Sequence, residues 1–282
     1  MNLLENLNTL SQQVLPGHAL SRLVGMLAYC EIPAVKDRLI RAFIKQFDIN
    51  MDDVADTDLD AYPHFNAFFT RALKPGIRPM AGTGHLACPA DGTVLTKGLL
   101  GEDTRLMAKG HHFNLSELLA TDEYNGIYQN GQFLTIYLSP KDYHRVHCPM
   151  DAELKHMTYV PGRLFSVNGA TTKAIPSVFA RNERVILHFK GAHGPFAMVL
   201  VGAMLVASIE TPFAGIITPP GRGIHHWNYH RGPHLKFAQG DEVGRFQYGS
   251  TVIMVLPKEG VQISENATDE RSVVVGEPLG QG

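Results

Sequence analysis

The stretch Phe246-Gln247-Tyr248-Gly249-Ser250-Thr251-Val252-Ile253-Met254-Val255-Leu256 constrains the fold more than any other. From Val252 to Leu256 every side chain is apolar, and so short a run, rich in β-branched residues, reads as a buried strand. The residues before it place Gly249 and Ser250 at the turn leading into that strand. A glycine peptide tolerates strained dihedrals and leaves its carbonyl carbon open to approach. The serine beside it carries a hydroxyl that can attack that carbonyl once a base takes its proton. A plain Gly-Ser turn before a core strand looks the same, so the company the pair keeps decides between the two readings.

A chain of 282 residues, 44% hydrophobic, can bury a substantial core as one large or two modest domains. Its formal charge of -2, from 25 Lys+Arg and 27 Asp+Glu, provides no basic field for nucleic acid. Cys30, Cys88 and Cys148 are odd in number and lack a C-x-x-C pair, which points away from a disulfide framework or a zinc site and toward a reducing compartment. No apolar run reaches the roughly 20 residues a bilayer crossing needs, and Met1-Asn2-Leu3-Leu4-Glu5 does not start a signal peptide. Membrane contact would be peripheral.

Residues 17–47 read as two amphipathic helices. Leu20, Leu23, Val24, Leu27 and Ala28 make the apolar stripe of the first; Val35, Leu39, Ile40, Phe43, Ile44 and Phe47 make that of the second, which Pro33 opens. Lys36, Arg38, Arg41 and Lys45 fall on the polar side of the second. The pair either packs on the body or lies on a lipid surface, where apolar burial at about 1.5–3 kcal/mol per side chain outweighs the charges. An acidic connector follows (Asp52, Asp53, Asp56, Asp58, Asp60), then a short aromatic helix over Phe65 to Leu73, stopped by Lys74-Pro75-Gly76. From about Cys88 the chain breaks into β-like runs: Thr93 to Thr96, Phe133 to Leu138, Val185 to Phe189, Phe196 to Ile209 and Thr251 to Leu256. The expected class is α+β: a helical N-terminal module over residues 1–80 and a mainly β, barrel-like body over 81–282.

Four stretches could carry chemistry. Pro89-Ala90-Asp91-Gly92 sets a carboxylate at a turn before a strand. Tyr143-His144-Arg145-Val146-His147 brings two histidines close together; they would share a face on a helix and oppose each other on a strand. With no H-E-x-x-H, the histidines fit metal binding less well than a base for Ser250 whose tautomer Asp91 fixes. Pro161-Gly162-Arg163-Leu164-Phe165-Ser166-Val167-Asn168 and Phe179-Ala180-Arg181-Asn182-Glu183-Arg184 suit a pocket wall with an anion-holding arginine. The cluster His225-His226-Trp227-Asn228-Tyr229-His230 reads as a surface loop.

In this order, together with Gly249-Ser250-Thr251, these stretches resemble the phosphatidylserine decarboxylase family, most closely its bacterial proenzymes, over nearly the whole chain. One departure is Tyr248, where the family's commonest processing motif has Leu. The resemblance implies an enzyme that makes its own cofactor. Ser250 Oγ would attack the Gly249 carbonyl, with His147 as base and Asp91 orienting it. Loss of the Ser250 α-proton would then expel the Gly249 carboxylate, and hydrolysis would leave a pyruvoyl group and ammonia. The products would be a β chain, 1–249, and an α chain, 250–282, with a homodimer of such heterodimers also compatible.

Such a keto-acyl group suits decarboxylation because it accepts the electron pair left when an amino acid loses carbon dioxide. The implied reaction takes phosphatidylserine to phosphatidylethanolamine at the cytoplasmic face of the inner membrane. His144 would protonate the carbanion, Phe165, Ser166, Val167 and Asn168 would face the head group, and Leu20, Leu23, Val24 and Leu27 would meet lipid. Three rivals differ in kind: a pyruvoyl decarboxylase of a soluble amino acid, a hydrolase using Ser250, His147 and Asp91, and a noncatalytic lipid-binding module.

Overall fold

The structure is a computed structural model and describes residues 25–108, 111–167, 169–203, 208–217, 223–230, 234–247 and 250–282. Leu20, Leu23, Val24, Asn168, Tyr248 and Gly249, all named above, lie outside these residues. Residues 25–28 are helical, and α1 (Pro33–Phe47) and α2 (Phe65–Phe69) follow. The rest is strand-rich: β1 (His85–Ala87), β2 (Gly92–Leu99), β3 (Arg105–Ala108), β4 (His111–Asn114), α3 (Leu115–Leu119), α4 (Asn125–Tyr128), β5 (Gln132–Leu138), β6 (Arg145–His147), β7 (Ala152–Val160), α5 (Gly169–Ala174) and α6 (Val178–Arg181). Then come β8 (Arg184–Gly191), β9 (Gly194–Val201), β10 (Ile209–Thr211), β11 (Gly215–Ile216), β12 (His225–Asn228), β13 (Leu235–Phe237), β14 (Glu242–Phe246), β15 (Ser250–Leu256), β16 (Gln262–Ile263), β17 (Ser272–Val273) and β18 (Pro278–Gln281).

The run expected to be a buried strand is β15, and it lies inside an antiparallel sheet of order β12-β7-β8-β9-β15-β5-β2-β17. It pairs β5 from Ser250 opposite Leu138 to Leu256 opposite Gln132, and β9 from Thr251 opposite Val201 to Val255 opposite Ala197. Successive side chains of a strand point to opposite faces, so β15 feeds two cores. Val252, Met254 and Leu256 enter one with Leu134, Leu200, Val146, Phe246 and Leu279, where small sheets cover the face. Ile253 and Val255 enter the other with Phe133, Val199, Leu106, Leu118 and Phe179, where the short helices and the β3–β4 hairpin cover it. Apolar residues on both faces explain why the run does not alternate.

Several expectations change. Among the described residues the large sheet is open, with β12 and β17 as its ends, so the strand-rich body is not a closed barrel. Ser250 is already within the strand rather than at a turn before it. The run from Phe196 to Ile209 splits into β9 and β10, which belong to different sheets. The aromatic helix ends at Phe69 instead of Leu73, and His64 caps its start by accepting the Ala67 N–H on Nδ1 at 3.1 Å.

The helices have a core of their own. Ile40, Val54, Phe65, Phe68 and Phe69 are fully or almost fully buried there, and the Phe43 ring meets those of Phe65, Phe68 and Phe69. Lys36, expected on the polar face of α1, is buried: its ammonium donates to Asp37 Oδ1 at 2.8 Å and to the Leu59 carbonyl at 2.9 Å. Those two partners make its burial tolerable.

Candidate active site

Strand register brings the sequence stretches together. Tyr137, near the end of β5, lies between Thr93 of β2 and Thr251 of β15. Thr251 faces Val201 on its other side, Val201 faces Arg184, and Arg184 faces Val160. Because all neighbours are antiparallel, one end of the sheet collects the starts of β2, β8 and β15 and the ends of β5, β7 and β9. Asp91, the loop from Ser139 to His147, the segment from Pro161 to Val167, Asn182 with Glu183, and Ser250 all emanate from that end.

Ser250 is fully buried and its Oγ has no hydrogen-bond partner among the described residues; the same holds for Thr251 Oγ1. A buried hydroxyl left unbonded is rare and asks for an explanation. His144, also fully buried, donates its Nδ1–H to the Asp142 carbonyl at 2.8 Å, which leaves Nε2 as an unprotonated and unpartnered nitrogen. Burial pushes its pKa down to about 3, against the opposing pull of the bond to Asp142, so the ring is neutral. His147 ends β6. Its Nδ1–H donates to the Gly240 carbonyl at 2.7 Å, and its Nε2 accepts from the Tyr143 hydroxyl at 3.1 Å. Burial lowers its proton affinity too, although the Gly240 carbonyl and the charges of Glu242 and Asp91 favour the protonated form.

Asp91 does not hydrogen-bond His147 in this structure. Its carboxylate takes a two-pronged contact from Arg78, with Nη2 at 2.7 Å and Nε at 3.2 Å, and the Val275 N–H at 2.7 Å. The contact with Asp91 holds Arg78 above the ordinary arginine range. Gly92 follows because only glycine fits: a Cβ there would lie 2.3 Å from the Tyr137 carbonyl oxygen. The glycine of this stretch thus serves close strand approach at the head of β2 rather than a turn. Asp142 turns back on its own loop, accepting the Ser139 N–H and hydroxyl, each at 2.7 Å, and burial raises its pKa.

The end of α2 clasps the histidine loop with three consecutive residues. The Phe69 ring lies on that of His144, with centroids 4.1 Å apart. The Thr70 carbonyl accepts Arg145 Nε–H at 2.9 Å, and Arg71 Nη2 donates to the Lys141 carbonyl at 3.0 Å. Arg71, Arg78, Asp91, Thr93, Ser139 and Tyr143 share a polar cleft of about 330 Å³.

The segment from Pro161 to Val167 is held by Asn182. Its side chain bonds both the N–H and the carbonyl of Phe165, at 3.1 and 2.8 Å, and the Gly202 carbonyl at 2.9 Å. Phe165 and Val167 point into the core while Ser166 is half-buried, so their side chains shape the segment from behind. Arg163 and Arg181 lie over the Phe165 ring, with Cζ 5.6 and 5.0 Å from its centroid. Arg184, expected on a pocket wall, instead donates to the carbonyls of Glu117, Leu118, Ala180 and Asn182, with burial pushing its pKa down to about 10. Leu27 is 50% exposed.

Sequence reasoning missed Arg71, Arg78 and the Gly240 carbonyl. None bears a fixed spacing to Asp91 or the histidines, and the bonds depend on segments that meet only in the folded chain.

The family model described as phosphatidylserine decarboxylase matches residues 65–281, and a second, described as PSD, matches residues 7–48. A phosphatidylserine decarboxylase proenzyme of Ectopseudomonas mendocina is 50% identical over 281 residues, covering 98% of both chains. Those of Marinobacter nauticus and Pseudomonas aeruginosa are 48% and 46% identical, covering at least 98% of either chain. With a match over most of its length and relatives this similar from end to end, the chain belongs to the phosphatidylserine decarboxylase family.

Proposed function

We propose that this protein decarboxylates phosphatidylserine to phosphatidylethanolamine after cutting itself between Gly249 and Ser250. The observation that carries the reading is the Ser250 hydroxyl: wholly buried, unbonded among the described residues, and at the head of the central strand where every motif segment converges. A hydroxyl spent in an internal reaction needs no lasting partner. The residue also fits a pyruvoyl group made in place, since the enclosing strands would hold the new chain end after the cut. Such a group would accept the electron pair released with carbon dioxide.

In the cut, Ser250 Oγ bonds to the Gly249 carbonyl carbon and the peptide C–N bond breaks, leaving an ester. Removal of the Ser250 α-proton then expels the Gly249 carboxylate, and water hydrolyses the dehydroalanine left at the new chain end to a pyruvoyl group and ammonia. We assign the first proton to His147, whose neutral form the buried setting favours and whose proton affinity the Asp91 charge supports. Its Nε2 must first release the Tyr143 hydroxyl. Asp91, pinned by Arg78 and Val275, acts as a fixed charge. His144 protonates the product carbanion. A second reading exchanges the histidines, because His144 Nε2 already lacks a partner, as Ser250 Oγ does.

The helical layer, over residues 1–80, is proposed to meet the lipid surface peripherally and to deliver the head group to the strand-rich part over 81–282. Met26, Leu27 and Ile32 are 76%, 50% and 61% exposed, which supports that use. No described helix is long and apolar enough to cross a membrane.

Intact-mass measurement of wild type beside Ser250→Ala tests the reading, with carbon dioxide release from phosphatidylserine vesicles measured on both. Wild type should give two chains and activity, and the variant one chain and none. Two chains from both would overturn the choice of nucleophile, and an active uncut wild type would overturn the cofactor.

A further inference from the structure

Arg71 stands apart from the other cations of the cleft. It is 4% exposed, yet among the described residues its guanidinium bonds two backbone carbonyls, Lys141 at 3.0 Å and Phe69 at 3.5 Å, and lies 5.4 Å from the Phe68 ring centroid, while its Nε–H has no partner. No carboxylate lies within 4.0 Å of it among the described residues, whereas Arg78 is paired with Asp91 and Asp53. Of the acidic residues lining the cleft, Asp142 is bonded to Ser139, Asp53 and Asp91 are held by Arg78, and Asp48 is exposed. Asp91 and Asp142 act on it only through space, and a cation taken out of water without a directly paired counter-charge is costly.

We propose that Arg71 binds the phosphodiester of the lipid head group, an inference that rests on the decarboxylase reading. The cleft that Arg71 lines is walled by Asp91 and by Tyr143, which bonds His147, and the Phe69 ring two residues earlier packs on His144. An anion on Arg71 therefore sits next to the proposed chemistry. The substrate carries two anionic groups, and the reaction chooses between them. A carboxylate held by a buried guanidinium would be stabilised before reaction and leave more slowly, whereas a phosphodiester is unchanged from substrate to product. A single negative charge matches a single guanidinium, whose fork suits phosphate oxygens.

The test uses self-cut full-length enzyme, wild type, Arg71→Lys and Arg71→Gln, in detergent micelles of dodecyl maltoside with dispersed phosphatidylserine. Intact mass first confirms two chains, and carbon dioxide release by wild type confirms the underlying reading; failure of either sinks that reading and not this one alone. Arg71→Gln should raise KM at least tenfold while changing kcat less than threefold, with Arg71→Lys in between. Glycerophosphoethanolamine, which has the phosphodiester but no carboxylate, should inhibit wild type at least tenfold more tightly than ethanolamine, and Arg71→Gln should abolish that advantage while leaving inhibition by L-serine unchanged. An unchanged KM, or a weakened grip on L-serine alone, overturns the assignment. Should Arg71→Gln fail to fold, equal inhibition of wild type by the two amines overturns it, and a tenfold preference for the phosphodiester together with a near-normal Arg71→Lys supports it.

Discussion

Tyr29 donates its phenolic hydrogen to the side-chain oxygen of Gln247, two residues before the Gly249-Ser250 bond. The same oxygen accepts the Ser208 hydroxyl, Gln247 N–H donates to the Ser208 carbonyl at 3.0 Å, and Asn66 Nδ2 donates to Tyr29 Oη at 3.2 Å. The first helical segment and α2 thus hold the chain just ahead of the proposed cut. Removing one such bond is worth about 1 kcal/mol, so Tyr29→Phe should slow self-cleavage about fivefold. A time course of chain separation on a denaturing gel checks this, with Met26→Ser, at a 76% exposed position, expected to behave as wild type.

The two histidines predict different acid limits for self-cleavage. A base works only when neutral. Burial lowers the pKa of both rings, to about 3 for His144 and below the usual histidine range for His147. With His147 as base, cleavage should be flat at neutral pH and fall only in acid, below the pH at which an ordinary imidazole takes up its proton. With His144 as base it would persist unchanged at pH 5. Cleavage of freshly translated chain across this range decides, and His147→Asn should abolish the acid-sensitive phase.

Stability should also fall in acid. His144 and His188 are buried and neutral, each with its pKa depressed to about 3. The unfolded chain binds their protons below about pH 6.5, so the stability present above that value is lost progressively as pH falls toward 3, at about 1.4 kcal/mol per unit for each ring. Replacing His188, whose ring stacks on Tyr124 with centroids 3.9 Å apart, by Gln should remove one ring's share of the slope. Urea melts between pH 7 and 5 measure it.

Arg78→Met should cost about 3–5 kcal/mol, because it leaves the 7% exposed Asp91 carboxylate without its cation. Arg78→Lys, which keeps charge but not the fork, should recover part of that. Chemical denaturation of the Ser250→Ala background separates this effect from any on cleavage.

Gly162→Ala should disorder the segment from Pro161 to Val167. A Cβ there would come within 2.4 Å of the Asn182 carbonyl carbon and 2.5 Å of Arg181 O, so the two backbones must part and Asn182 would lose its hold on Phe165. The expected result is intact cleavage with decarboxylation reduced at least tenfold, read by comparing chain masses with product formation.

What could be read from the chain followed physical scale. β15 was legible because its burial on both faces wrote a continuous apolar run, whereas the proposed roles of Asp91, His144, His147 and Ser250 rest on the resemblance to a known family. Closure of the sheet was not legible, since the strands of an open edge and of a barrel seam differ in the neighbours they find and not in their own alternation. Lys36 was misjudged because helical periodicity places a side chain on a face without showing that Leu59 and Asp37 come to meet it. The partners of Asp91 were hidden for the same reason: Arg78 lies 13 residues before it and Val275 184 residues after, and both meet it only in the folded chain.

The weave of the last residues has a consequence for the severed protein. β15 is hydrogen-bonded along both edges, β16 and β1 flank β18, and β17 borders β2. A fragment starting at Ser250 would be laced into three separate places in the other chain, so breaking one covalent link would not set it loose. Dilution alone should never separate the two pieces, and their melting should remain a single event, as if the backbone were still whole.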